Sequence, residues 1–188
     1  MADIVLKKED NNKNKAKALF LLGVDQMKKF IKEYVPYIVI IILVILVKRY
    51  VVSPVKVNGT SMMNTLHNGD IMILNSTAYY FNDIERFDIV VIDEGDEYII
   101  KRVIGLPGEV VEYRENQLYI NNKLVKCNYT DEPTADFKYK VGKDSYFVLG
   151  DNRTNSMDSR VFGAFKKNKI IGKTKLTIFP FNRFGQKK

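Results

Sequence analysis

Tyr34 to Val47 reads YVPYIVIIILVILV, fourteen residues without a charge. Continued through KRYVV to Val52, the run reaches nineteen residues, interrupted only by Lys48 and Arg49 near its far end. Both of those side chains can lie along a helix end with their charges among lipid headgroups. About twenty apolar residues in helical form cross the hydrocarbon core of a bilayer, so one transmembrane helix is expected over 34–52. Pro36 falls in its first turn, where a missing N–H costs little, and Pro54 follows its end. A pair of core strands would need a turn inside the run, and none is present. A cleavable leader would have a shorter basic region and a small-x-small site, which VVSPVKV does not offer. The chain thus divides into a basic segment over 1–33, a span over 34–52 and a domain over 53–188.

Charge suggests how these parts are placed. Residues 1–33 carry eight lysines against five acids, which favours a cytoplasmic N-terminus and a domain on the extracytoplasmic side. Within them, Phe20, Val24, Met27, Phe30 and Ile31 recur at helical spacing, as in a helix lying at a bilayer surface; a solvated basic tail is the alternative. From Phe165 onward there are eight Lys or Arg and no acid. That run has neither a recognition helix nor interleaved aromatics, so a phospholipid bilayer is the expected partner and nucleic acid is not. One cysteine, Cys127, excludes an internal disulfide, and with the single histidine, His67, it cannot complete a structural zinc site. No metal or cofactor is expected.

Beyond the span the texture is that of strands. PVKV (54–57), DIMILN (70–75), FDIVVID (87–93), YIIKRVIG (98–105), EVVEYRE (109–115), QLYINN (117–122), DSYFVLG (144–150) and KLTIF (175–179) are short and rich in Val, Ile, Tyr and Phe. Turns such as HNGD, LPGE and NN separate them. Eight strands so spaced predict a mainly β, antiparallel domain rather than βαβ units.

Three stretches carry candidate chemistry. NGTSMMNTLHNGD (58–70) sets Ser61 among turn formers and methionines, with His67 six residues on. No G-x-S-x-G elbow surrounds the serine, and His67 sits at a turn entry where the side chain is usually solvated. A lysine can serve as the base instead, provided that an apolar setting disfavours its charge. In YIIKRVIG, strand alternation puts Lys101 on one face with Ile99 and Val103, and Ile100, Arg102 and Ile104 on the other. An edge strand guarded by a lysine is the competing reading. The third stretch, GDNRTNSMDSRVFG (150–163), packs polar residues and glycines into a loop after a strand, where Asp158 and Arg160 could pair and Ser156 could orient an amine. Cys127, in KCNYT, has no base beside it.

Taken together, these stretches resemble bacterial type I signal peptidases, membrane-anchored serine proteases with a Ser–Lys dyad. The likeness covers about residues 34–180, with GTSMMNTLHNGD as the nucleophile box, FDIVVI the following strand, KRVIGLPGE the lysine box and GDNRTNSMDSRVFG the last box. It implies an antiparallel β-sheet catalytic domain of signal-peptidase type behind one N-terminal transmembrane helix. It also implies Ser61 as nucleophile, Lys101 as general base, Ser156 as the group that orients the amine, and Asp158 with Arg160 as a supporting ion pair. The backbone N–H of Ser61 would be one oxyanion donor. Asn64 stands where the family usually has proline. Gly59 stands where some members supply a serine hydroxyl, which leaves a backbone N–H, another hydroxyl or water as second donor.

The resemblance further implies that signal peptides of secretory preproteins, with small residues before the cleavage site, lie extended beside the strand preceding Ser61. Val57, Met62, Leu66 and Ile100 are the expected pocket walls, with ordinary core as the alternative. Met62 and Met63 are expected at a lip that faces substrate or lipid. About ten residues part the span from Ser61, a reach of at most about 35 Å. Two other functions fit the same chain: a processing or assembly peptidase for a narrow set of pilin-like precursors, and an anchored β domain without catalysis.

Overall fold

The computed structural model describes residues 2–50 and 52–187, and side chains over 17, 19–47, 53–80 and 82–187. Val51 in the expected span and Lys188 in the basic run lie outside the described residues, as do the side chains of Lys48 and Arg49.

Helix α1 runs Ala2–Tyr50, and within it Leu19–Val47 is long and apolar enough to cross a membrane. Its described large apolar side chains are exposed apart from Val24, which is half-buried. Pro36 is not in a first turn but inside the helix. Nothing between Ala2 and Tyr34 breaks a helix, so the helix starts far upstream and absorbs the lost N–H in its interior. Residues 1–47 form one compact unit and 48–188 another.

The second unit is built of antiparallel strands. In chain order they are β1 (Val52–Lys56), β2 (Ile71–Asn75), β3 (Ile89–Asp93), β4 (Tyr98–Gly105), β5 (Val110–Arg114), β6 (Gln117–Ile120), β7 (Lys123–Val125), β8 (Phe137–Lys140), β9 (Ser145–Leu149), β10 (Phe165–Lys166), β11 (Ile170–Phe179) and β12 (Gly185–Gln186). Short helices α2 (Ala78–Phe81) and α3 (Ser159–Phe162) interrupt them. The larger sheet has the order β1-β2-β11-β3-β4-β9-β10, with β12 on β11, and the smaller is β7-β6-β5-β8. All eight expected strands occur, β4 with the bounds expected and the other seven with altered ends; the last begins earlier than expected, at Ile170.

Three clusters make the core. Ile104, Val111, Tyr113, Leu118 and Phe147 join the two sheets. Val90, Ile92, Val103 and Val148 fill a second, against which Ile99 packs. Val57, Met62, Leu66, Met72 and Ile89 form a third beneath the Ser61 turn, with Ile100 packed on it. The alternation read in β4 therefore holds: Ile99 and Val103 share one cluster, while Ile100 belongs to another. At about 25 cal/mol per Å² of apolar area removed from water, such clusters supply the main drive to fold.

Candidate active site

Ser61 sits in the turn that follows β1. The turn closes on itself through Met63 N–H to Thr60 O and Thr65 N–H to Met62 O. Burying Met62 (2% exposed) and Leu66 (0%) pins its underside to the core. Met62 is thus a core residue at the base of the turn and not an exposed lip. Gly59 has φ +91°, and its N–H donates to Asn68 Oδ1 at 3.0 Å; that N–H is committed and is no free oxyanion donor. Asn64 adopts φ +82°. Asparagine tolerates the left-handed region, whereas proline is locked near −65°. The backbone at position 64 thus suits asparagine and would not admit proline.

Strand β4 brings Lys101 beneath this turn. Lys101 is 4% exposed, and its Nζ lies 2.9 Å from Ser61 Oγ as donor. Burial pulls its pKa down, while the charges of Asp158, Glu94 and Glu97 pull the other way, and the net direction is down. The same 2.9 Å serves a serine O–H donating to a neutral amine. His67 makes no hydrogen bond to Ser61: its N–H bonds Asp70 Oδ2, and its buried ring Nδ1 has no partner among the described residues.

The loop after β9 closes the site from the other side. Asp158 takes both Nε and Nη2 of Arg160 at 2.8 Å, accepts Gly150 N–H at 3.0 Å, and caps α3 through Arg160 N–H. Burial works to raise its carboxyl, but the guanidinium and these hydrogen bonds outweigh it and hold the group below the usual carboxylate range. The expected bond from Ser156 to the lysine amine is not formed. Ser156 Oγ is buried against Gly150, where it helps to hold the Asp158 carboxyl down but makes no full hydrogen bond among the described residues. A Cβ at 150 would collide with Ser156 Oγ and with the carbonyl of Ser61, so only glycine lets this strand end approach the nucleophile.

A groove of about 810 Å³ opens at Ser61 and Lys101, bounded by 54–62 on one side and 97–101 on the other, with Met157 and Phe162 at its rim. Of the expected pocket walls, Val57, Met62 and Ile100 line it. Leu66 does not; its periodic position turns it wholly into the core behind the turn.

Several residues of the site escaped the sequence reading. Arg102, 0% exposed, binds Asp151 through Nε and Nη2 at 2.8 and 2.7 Å, donates to Phe87 O, and stacks on Tyr129 with 3.7 Å to the ring centroid. Thr65 Oγ1 donates to Asp151 Oδ2 at 2.6 Å, which ties the Ser61 turn to that pair. Asn152 and Asn155 bond Thr60 and Ser61 directly. Polar residues at core-facing positions, Arg102 and Asp151 above all, were the available signal.

Comparison with known proteins gives a consistent result. The family model for signal peptidase, peptidase S26, matches residues 28–179. Signal peptidase I S of Bacillus subtilis (strain 168) is 42% identical over 170 residues, covering 82% of this chain and 92% of that protein. Signal peptidase I of Bacillus licheniformis is 38% identical over 191 residues, covering 93% and 96%. A crystal structure of a signal peptidase I from Enterococcus faecalis V583 is 37% identical, covering 49% of this chain and 97% of that one with a TM-score of 0.46.

Proposed function

The chain belongs to the signal peptidase family, serine endopeptidases of the peptidase S26 group, and we propose that it cuts signal peptides from secretory preproteins with a Ser61–Lys101 dyad while anchored in a membrane by Leu19–Val47. One observation carries the chemistry: the Lys101 amine is buried and in hydrogen-bond contact with Ser61 Oγ. A buried ammonium bonded to a single neutral oxygen sheds its proton more readily than an exposed one.

In the first step neutral Lys101 Nζ takes the Ser61 proton as Oγ attacks the scissile carbonyl. The C–N bond then breaks, and the proton passes from Lys101 to the departing amine, the new N-terminus of the mature protein. In the second step Lys101 takes a proton from water, hydroxide adds to the acyl carbon, and Ser61 leaves with that proton as the signal peptide's carboxylate forms. The Asp158–Arg160 pair serves the base: with its charge largely claimed by Arg160, Asp158 pulls less on the ammonium. The groove between 54–62 and 97–101 suits an extended chain entering as an added strand. Val57, Met62 and Ile100 leave room there for small side chains.

The lysine-rich stretch 1–33 supports a cytoplasmic N-terminus, with the β domain across the bilayer where cleavage sites emerge. Cleavage of a model preprotein in vesicles tests the chemistry: Ser61→Ala and Lys101→Met should each abolish it, and persistent cleavage by either removes the dyad. Protease added outside intact cells tests the orientation; it should reach 53–188 and spare 1–33.

A further inference from the structure

Building on the reading of Ser61 as nucleophile, we propose that Asn152 is a positioning residue that fixes both backbone torsions of Ser61 and so aims its N–H at the oxyanion. Among the described residues, Asn152 alone bonds the carbonyls on both sides of the nucleophile's Cα, sharing Thr60 O with the Met63 N–H that closes the turn. Asn152 Nδ2 donates to Thr60 O at 3.1 Å, and its backbone N–H donates to Ser61 O at 3.0 Å.

The consequence follows from peptide geometry. A trans peptide is planar, with its C=O and the next N–H pointing in opposite directions. Holding Thr60 O therefore sets the direction of the Ser61 N–H. Holding Ser61 O sets the plane that follows. The two planes meet only at Ser61 Cα. Met63 N–H holds the first from within the turn, and Asn152 ties it from the loop to the second, so φ and ψ of the nucleophile are set together. Because Thr60 O faces Asn152, the Ser61 N–H points away from the 150–156 loop. The N–H of Gly59 is already spent on Asn68, which makes the direction of the Ser61 N–H the more important.

Asn152 is itself locked. Its Oδ1 accepts Asn155 N–H at 3.0 Å and Thr154 Oγ1 at 3.2 Å. An N–H can only donate and a carbonyl can only accept, so Oδ1 must face Asn155 and Nδ2 must face Thr60. Asn155 Nδ2 adds a second tether, to Thr60 Oγ1 at 2.8 Å. Thr154 is held in turn by Glu132 Oε2, which accepts its N–H at 3.0 Å and so leaves the hydroxyl proton for Asn152 Oδ1. Such preorganised donors stabilise charge only as it develops, so their loss appears in kcat.

The test uses the full chain in detergent with a cleavable peptide and a peptide aldehyde, whose adduct with Ser61 places an oxygen where the oxyanion forms. Asn152→Asp keeps the shape but sets a carboxylate oxygen against Thr60 O; Asn152→Ala removes the side chain. Both should lower kcat by about 10- to 100-fold with KM held within about threefold. Aldehyde affinity should fall by the same factor, with the melting midpoint unchanged. Parental kcat in both variants overturns the proposal, as does a kcat loss in which KM rises in step, aldehyde affinity is kept, or the melting midpoint drops. Ser61→Ala in the same assay separates the two layers. If it is inactive while the Asn152 variants are normal, only the positioning role fails; if it still cleaves, the dyad fails first.

Discussion

Lys101 and Arg102 are adjacent on β4, both basic and both shut from water, at 4% and 0% exposure. Their surroundings are opposites. Arg102 has a two-point carboxylate, a carbonyl, a hydroxyl and an aromatic face. Lys101 has one hydroxyl oxygen and, nearby, a carboxylate that Arg160 already holds. A guanidinium keeps its charge wherever it is put, so its site must satisfy it. An ammonium can lose its proton, so a site that withholds partners makes it a base. Equal burial thus accompanies a structural tie on one face of the strand and, on the other, the amine proposed as the base. The Ser61 turn spans both, touching Lys101 through Ser61 and the arginine pair through Thr65 four residues later.

This contrast can be broken at several points. Lys101→Met should reduce preprotein cleavage at least about 10³-fold, toward the upper range of general-base contributions, without lowering the urea midpoint of unfolding. A large loss of stability there would mean that the lysine is a tie as well. Arg102→Met should do the reverse to the fold. It strands Asp151 in the core, and unfolding free energy followed by circular dichroism should drop by about 3–5 kcal/mol.

The pH profile addresses the amine. With Lys101 as the proposed base, the cleavage rate should fall on the acid side as the amine takes up its proton. Arg160→Gln frees the charge of Asp158, raises the lysine and should move that limb to higher pH; an unmoved limb would detach Asp158 from the base. Stability gives an independent sign. The folded pKa of Lys101 lies below its unfolded value. Between the two the unfolded chain binds the extra proton, so stability rises with pH across that window and falls as pH drops through the folded pKa. Lys101→Met should flatten this part of the stability curve.

Smaller effects are expected in the turn that links the two faces. Asn64→Pro forces a left-handed residue out of its region and should cost about 1–3 kcal/mol in thermal or urea unfolding, whereas Asn64→Gly should be within about 0.5 kcal/mol of the parent. His67→Gln should leave cleavage unaltered, and a clear loss would restore the histidine as a participant.

The sequence announced one of the two cations more clearly than the other. Alternation around Lys101 could be read because Ile99, Val103 and Ile100 are apolar neighbours in a single strand. That Lys101 meets Ser61 came with the resemblance, because a contact across forty residues leaves no periodic trace. Arg102 could be placed on the opposite face of the same strand but given no role: its carboxylate is forty-nine residues away, and its stacking partner Tyr129 lies in a stretch with no strand pattern. Leu66 shows the opposite failure. It looked like a groove wall beside the nucleophile, but turn geometry sends it into the core. Asn152 read as an ordinary turn residue in GDN, since nothing local distinguishes an amide that faces solvent from one that holds a distant carbonyl.

Glu132 lies in the irregular segment between β7 and β8, where it holds Thr154, and Thr154 holds Asn152. It also lies outside the groove lining. An inhibitor therefore need not compete with preprotein for the groove. A small hydrogen-bond donor that captured the Glu132 carboxylate would slacken the nucleophile from behind, and saturating amounts of substrate would not displace it.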